Sequence, residues 1–318
     1  MSLKIAKEAL AAYEKFGGSR PSGNWEWIFD NKKKAFVRAL EQGDAESINN
    51  FLASFFQNES SYGIVSYSAL QNKSEAHSAI LRDAATFRDL CGDDFAVLRV
   101  PDVGEPWGVE IEGALVLPDA PRHYHHSTRL RALGAESPIF EIGGGYGGVF
   151  WYLWSGATRP RCYLNCDLIE ALVVFYYFVH KCCEVAGIAP PRTTWTQTVT
   201  ASELASNDLV LMPAGPGVSV EGASVGTVYN SNSLSEMSGD DVAFYFDLIE
   251  SCDPRFIFHQ NSDQPLWNIQ RGARRNHQEV LSRDFPVADR YDEVYKVMSP
   301  WIGGAGRYRE YLYQRRSG

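Results

Sequence analysis

Through the first ninety or so residues, apolar side chains recur at three- and four-residue spacing. This predicts helices over Ile5–Tyr13, Trp25–Leu40, Ala45–Phe56 and Glu75–Leu90. Gly17-Gly18, Gly23-Asn24 and Gly43-Asp44 punctuate them. Between Gly92 and Pro121 the helical period is lost, and glycine and proline interleave with short β-like pieces. That texture predicts a long ordered loop or a small sheet. Pro121–Leu133 reads as helix again and ends at Gly134, placed to reach over a ligand cleft. From Ile139 onward, apolar runs alternate with amphipathic stretches, the pattern of a parallel sheet with helical crossovers. Strands are expected at 139–142, 161–167, 208–214, from 226 and at 254–261. Helices are expected at Val149–Ser155, Ile169–Val185, from an N-cap at Ser238, and at Pro265–Arg283. The chain closes with R-Y-D-E-V-Y-K-V-M and R-Y-R-E-Y-L-Y-Q-R-R around Gly303-Gly304-Ala305-Gly306, which predicts an antiparallel hairpin.

Length and composition narrow the picture. At 318 residues the chain exceeds the usual single domain, so a helical lid region over 1–134 and a nucleotide-binding α/β domain over 135–318 are expected. With 45% hydrophobic and 22% charged residues it has an ordinary globular composition. A net charge of −9 argues against a nucleic-acid partner, because phosphate neutralisation needs basic stripes. Lys32-Lys33-Lys34 and the arginine-rich 271–275 stretch read as solvated faces. No run approaches the roughly 18 apolar residues of a membrane helix, and the start lacks the apolar core of a signal peptide. A cytoplasmic protein is the expectation, and a homo-oligomer is compatible with it. The six cysteines show neither C-x-x-C nor disulfide-like spacing, so reduced thiols and no zinc are expected.

The densest signal is P-I-F-E-I-G-G-G-Y-G-G at 138–148, which reads as strand, tight turn and helix start. Glycines let the turn adopt positive φ and let a ligand approach the backbone. Gly143, Gly145 and Gly148 satisfy the dinucleotide spacing G-x-G-x-x-G. Glu141, Gly143, Gly145 and Gly147 equally satisfy E-x-G-x-G-x-G. A carboxylate at Glu141 suits a cationic ligand and repels a pyrophosphate. Asp167, 24 residues after Gly143 at the end of the next strand, is placed to accept both hydroxyls of a ribose. That role is common to NAD and S-adenosylmethionine (SAM) sites.

The second spacing resembles the first motif of class I SAM-dependent methyltransferases, which also end in an antiparallel hairpin. More narrowly, N-S-N-S-L-S-E-M at 230–237, Asp167 with Leu168 and Ile169, Tyr245-Phe246 and the closing R-Y-R-E-Y-L-Y are similar to the NanM-like sugar O-methyltransferase family. The resemblance implies a Rossmann-like, mostly parallel α/β sheet. It implies that SAM is held by Glu141, Gly143, Gly145, Gly147, Asp167, Leu168 and Asn230. The acceptor would be a sugar-like small molecule. Its proton would go to Glu236, in the loop after the fourth strand, or to His259, at the tip of the fifth. Asn207 and Asp208 come before the third strand, where the family carries its adenine-contacting residue after it, so that contact stays unassigned. His123, Tyr124 and His126 on the preceding helix are expected to face the acceptor. On a helix His123 and His126 share a face, but no nearby carboxylate completes a metal site. Trp107, Tyr124 and Trp267 are candidate walls for a sugar ring. Two other readings remain open from sequence: an NAD-dependent oxidoreductase, and a SAM-binding protein without catalysis.

Overall fold

A computed structural model of the protein describes residues 2–17, 24–66, 73–134, 137–215, 217–264, 280–301 and 307–316. The amino-terminal region forms α1 (Ser2–Phe16), α2 (Asn24–Asn31), α3 (Lys34–Glu41), α4 (Ala45–Ala53) and α5 (Lys73–Cys91). The single helix expected over Trp25–Leu40 is two. Ile28 O accepts both the Lys32 and Lys33 N–H, and Lys33 takes φ −120°, outside the helical range. The break ends α2 at Asn31 and restarts the helix at Lys34. The helix expected over Ala45–Phe56 ends at Ala53, with a short 3-10 turn at Phe55–Gln57.

The Gly/Pro-rich stretch contains a small hairpin, β1 (Val109–Ile111) and β2 (Ala114–Val116), followed by α6 (Ala120–Ala132). Then come β3 (Ile139–Ile142), α7 (Gly148–Ser155), β4 (Tyr163–Asp167), α8 (Ile169–Ala186), β5 (Thr193–Trp195), β6 (Thr198–Thr200), α9 (Ala201–Ser206), β7 (Leu209–Pro213), β8 (Ser219–Glu221), β9 (Thr227–Ser231), α10 (Gly239–Ser251) and β10 (Phe256–Ser262). The chain closes with β11 (Tyr291–Met298) and β12 (Tyr308–Arg315). Most of the helix expected over Pro265–Arg283, Trp267 within it, and the turn at 303–306 lie outside the described residues.

The eight-stranded sheet has the order β11-β12-β10-β9-β3-β4-β7-β5. Its strands from β5 to β10 are parallel, while β12 is antiparallel to both β10 and β11. The expected hairpin is therefore present, with its second strand inserted next to β10 and its first at the sheet edge. Strand β5 extends the other edge; at three residues it is too short for alternation to reveal.

Helix α8 is apolar almost all round, and Ile169 through Val179 are buried. Such a helix needs cover on both sides. The sheet supplies one side and α1 the other, through Ile5, Ala6, Ala9, Leu10 and Tyr13. Helices α1, α3 and α4 thus share one hydrophobic cluster with α7 and α8, α5 packs in a separate one with β1 and β2, and α10 covers the opposite face of the sheet. Among the described residues no helix is long and apolar enough to cross a membrane, and the six cysteines are free thiols.

Candidate functional site

The carboxyl ends of β3, β4 and β9 open into a cavity of about 680 Å³. Its floor is the glycine turn. Gly143 (φ +76°) and Gly145 (φ +57°) adopt the left-handed conformation that disfavours other residues. Gly144 is glycine for space: a Cβ there would lie 2.5 Å from Glu141 Oε2 and 2.7 Å from both Asn165 side-chain polar atoms. A Cβ on Gly143 would lie 2.3 Å from Ser233 Oγ. Gly143→Ala therefore combines left-handed strain, about 1–2 kcal/mol, with displacement of the loop that carries Glu236. A fall of several degrees in Tm by thermal melt is expected, and an unchanged Tm would show that the turn tolerates a Cβ.

Asp167 ties two turns together. Its Oδ2 accepts the Gly145 N–H at 2.9 Å and its Oδ1 accepts the Leu168 N–H at 2.7 Å. Burial outweighs these bonds and pushes the carboxyl up to about 6. Glu141 is more enclosed, and burial pushes it up to about 8, although its Oε2 accepts the Tyr163 hydroxyl at 2.7 Å. Register puts Glu141 beside Asn165 on β4 and Tyr229 on β9, so the three side chains share a face. Asn165 Oδ1 accepts the Gly144 N–H at 3.1 Å, whereas its Nδ2 is buried with no hydrogen-bond partner.

Helix α6 forms a second wall. It starts at Asp119, whose carboxylate accepts the Ser66 N–H (2.8 Å) and hydroxyl (2.6 Å) and the Arg122 Nη2–H (2.8 Å). Burial opposes ionisation of Asp119, but the adjacent Arg122 guanidinium prevails and holds it down to about 2. Arg122 also donates through Nη1 to Ser231 Oγ at 2.6 Å. His123 Nδ1 lies 3.2 Å from the Tyr146 hydroxyl; burial, then Arg122, push it down to about 3. The cover over the turn comes from Trp25 and Ile28 of α2 and from residues Tyr62–Ser66.

Of the residues expected from sequence, Glu141, Gly143, Gly145, Asp167, Leu168, Glu236 and His123 line this cavity. Gly147, Asn230, His259, Tyr124, His126 and Trp107 are not among its walls. Each of five has a distinct place. Gly147 caps α7, where a Cβ would lie 2.9 Å from the Phe175 ring. Asn230 is a structural clasp, donating to Ile142 O at 2.7 Å and accepting from Asn261 Nδ2 at 2.7 Å. Tyr124 packs edge-on against Phe87 and Tyr152. His126 is fully buried behind Tyr229. His259 lies on the opposite face of the sheet, because Phe258, not His259, is in register with Tyr229. There it stacks on Tyr311 at 4.8 Å, and burial pushes it down to about 3. Sequence reasoning missed Asp119, Arg122, Ser231 and Tyr229, which only tertiary packing brings to the cavity. Among the described residues no group of three or more His, Cys, Asp or Glu is arranged to hold a metal ion.

No protein-family model matches the sequence, and neither does any curated protein. Solved structures do match. The methyltransferase domain of bacterial CtHen1 aligns at 10% identity over 61% of this chain and 97% of that one, with a TM-score of 0.42. Magnesium protoporphyrin IX methyltransferase from Synechocystis, with bound SAH, aligns at 14% identity over 61% and 82%, with a TM-score of 0.39. The N-terminal domain of EvdMO1, in the presence of SAH and D-fucose, aligns at 12% identity over 79% and 100%, with a TM-score of 0.37. These likenesses are distant and assign neither ligand nor substrate. The strand order, with one antiparallel strand beside the last parallel one, gives the chain the Rossmann-like α/β fold of class I methyltransferases.

Proposed function

We propose that the protein is a SAM-dependent O-methyltransferase acting on a hydroxyl of a sugar or sugar-like small molecule. One observation carries the reading: Glu141, Asp167 and glycines 143–145 wall a single cavity at the carboxyl ends of the parallel strands. The residues fit the ligand. Cβ atoms at Gly143 or Gly144 would intrude on the turn, and the orphaned Asn165 Nδ2 lies beside Glu141. Asp167 would accept the ribose hydroxyls, Glu141 would face the cationic amino-acid end, and Leu168 and Ala214 would flank the base. When bound, SAM supplies an electrophilic methyl group on sulfur. Trp25, Tyr62, Phe244 and Tyr308, interspersed with Ser231, Asn232 and Glu236, form walls suited to a polyhydroxylated ring. Of the two residues expected to take the acceptor's proton, Glu236 lines the cavity and His259 does not.

A dinucleotide fits less well, because a pyrophosphate on this turn would gain no charge partner from Glu141 in its neutral form and would be repelled by it once ionised. Titration with S-adenosylhomocysteine and with NADH, followed by calorimetry, tests the reading. Binding of the first alone is expected, and saturable binding of NADH alone would overturn it. Transfer of labelled methyl to a panel of free and nucleotide-linked sugars tests the acceptor class.

A further inference from the structure

Behind the cavity wall runs a line of polar side chains that the proposed cofactor does not use. Arg122, Ser231 and Tyr229 line the cavity, while His126 and Glu310 lie behind Tyr229, buried to 0% and 2% exposure. Arg122 Nη1 reaches Ser231 Oγ at 2.6 Å, and Ser231 follows Tyr229 by two residues on β9, so the two side chains share a face. The Tyr229 hydroxyl lies 2.7 Å from His126 Nδ1. His126 Nε2 and Glu310 Oε1 are 3.4 Å apart, within ion-pair distance but without hydrogen-bond geometry, and neither atom has another hydrogen-bond partner.

The donor directions follow from chemistry. A guanidinium only donates, so Ser231 Oγ accepts from Arg122 and its own hydroxyl hydrogen is free to point at Tyr229. Tyr229 then donates to His126 Nδ1, which must be unprotonated, leaving the imidazole hydrogen on Nε2 facing Glu310. The line has a cation at one end and a carboxylate at the other. This is the arrangement of a base oriented by a buried acid, with a phenol between the base and the cavity.

We infer that Tyr229 is the catalytic residue that takes the acceptor's hydroxyl proton, with His126 and Glu310 as the positioning residues that receive and balance it. The inference rests on the methyl-transfer reading. As the acceptor oxygen bonds to the methyl carbon, the sulfur keeps the electron pair of the broken S–C bond. The hydroxyl proton passes to Tyr229 Oη while the proton of Tyr229 passes to His126 Nδ1. The resulting imidazolium faces the Glu310 carboxylate, and the proton returns to solvent after product leaves.

Two measurements test this. In the cofactor-free protein, ¹⁵N NMR of the His126 ring is expected to show the neutral tautomer protonated on Nε2. In Glu310→Gln that preference is expected to weaken. A ring protonated on Nδ1 alone, or on both nitrogens, would overturn the direction of the chain. The second measurement uses glycerol and methyl α-D-glucopyranoside at high concentration as hydroxyl probes, with methyl-labelled SAM. Tyr229→Phe and His126→Gln are expected to lower methyl-ether formation by about 10²-fold or more, with S-adenosylhomocysteine affinity unchanged. Undiminished transfer in both variants, or a wild type that binds S-adenosylhomocysteine yet methylates neither probe, overturns the inference. A wild type that does not bind S-adenosylhomocysteine overturns the methyl-transfer reading instead. Tyr229→Phe and Glu310→Gln preserve shape, and a Tm close to wild type separates lost proton transfer from lost folding.

Discussion

Asp167→Ala is expected to weaken S-adenosylhomocysteine binding by about a hundredfold or more, the largest loss from any single change in the cavity. Two effects coincide. The carboxylate holds the Gly145 and Leu168 N–H groups, so its removal frees both turns that shape the floor. The ribose hydroxyls also lose their acceptor. A hydrogen bond to a charged group contributes about 1.5–3 kcal/mol, and every 1.4 kcal/mol is tenfold in affinity. Asp167→Asn should fall between wild type and alanine. Its amide oxygen replaces one acceptor, while its NH₂ meets an N–H donor where the second oxygen stood. Calorimetry on the three proteins gives the order directly. Equal affinity for wild type and alanine would remove the ribose from this position.

The parts of the site legible in the sequence are those set by local backbone needs. A strand that runs into positive-φ glycines, and an acid at the next strand end, leave a mark within a few residues. Arg122 and Tyr229 leave none. Arg122 reaches the strand that carries Tyr229 through Ser231, 109 residues away along the chain. His259 shows the opposite failure. Its place on the fifth parallel strand is legible, but it lies in the middle of β10 rather than at the tip, and the face it occupies depends on the register with β9, which places Phe258 beside Tyr229 instead. The fold is legible more completely because the short apolar pieces within 139–142, 208–214 and 254–261, bounded by glycine, proline or polar residues, alternate with longer helical stretches. The break at Lys33 was hidden because Trp25–Leu40 keeps a helical period across it.

Glu141→Gln is expected to separate stability from binding. Burial raises the folded-state pKa of Glu141 from 4.5 to about 8, so the folded protein holds this proton more tightly than the unfolded chain does. Its contribution therefore disfavours folding progressively as pH rises from the ordinary carboxylate range through about 8. Glutamine carries no such charge, and its amide oxygen can still accept the Tyr163 hydroxyl. The variant should match wild type in Tm at low pH and exceed it above pH 8. Binding should move the other way. A cationic amino-acid end needs the ionised carboxylate, so wild-type affinity for S-adenosylhomocysteine should rise between pH 6 and pH 8 and binding at pH 7 should release a proton. Calorimetry in two buffers of different ionisation enthalpy measures that release. In the variant the release and the pH dependence from this group should vanish, with affinity at pH 8 about ten- to a hundredfold lower. Equal affinity and equal proton release in the two proteins would place the positive end of the ligand away from Glu141. The carboxylate would then be a cost to the fold that no bound charge offsets.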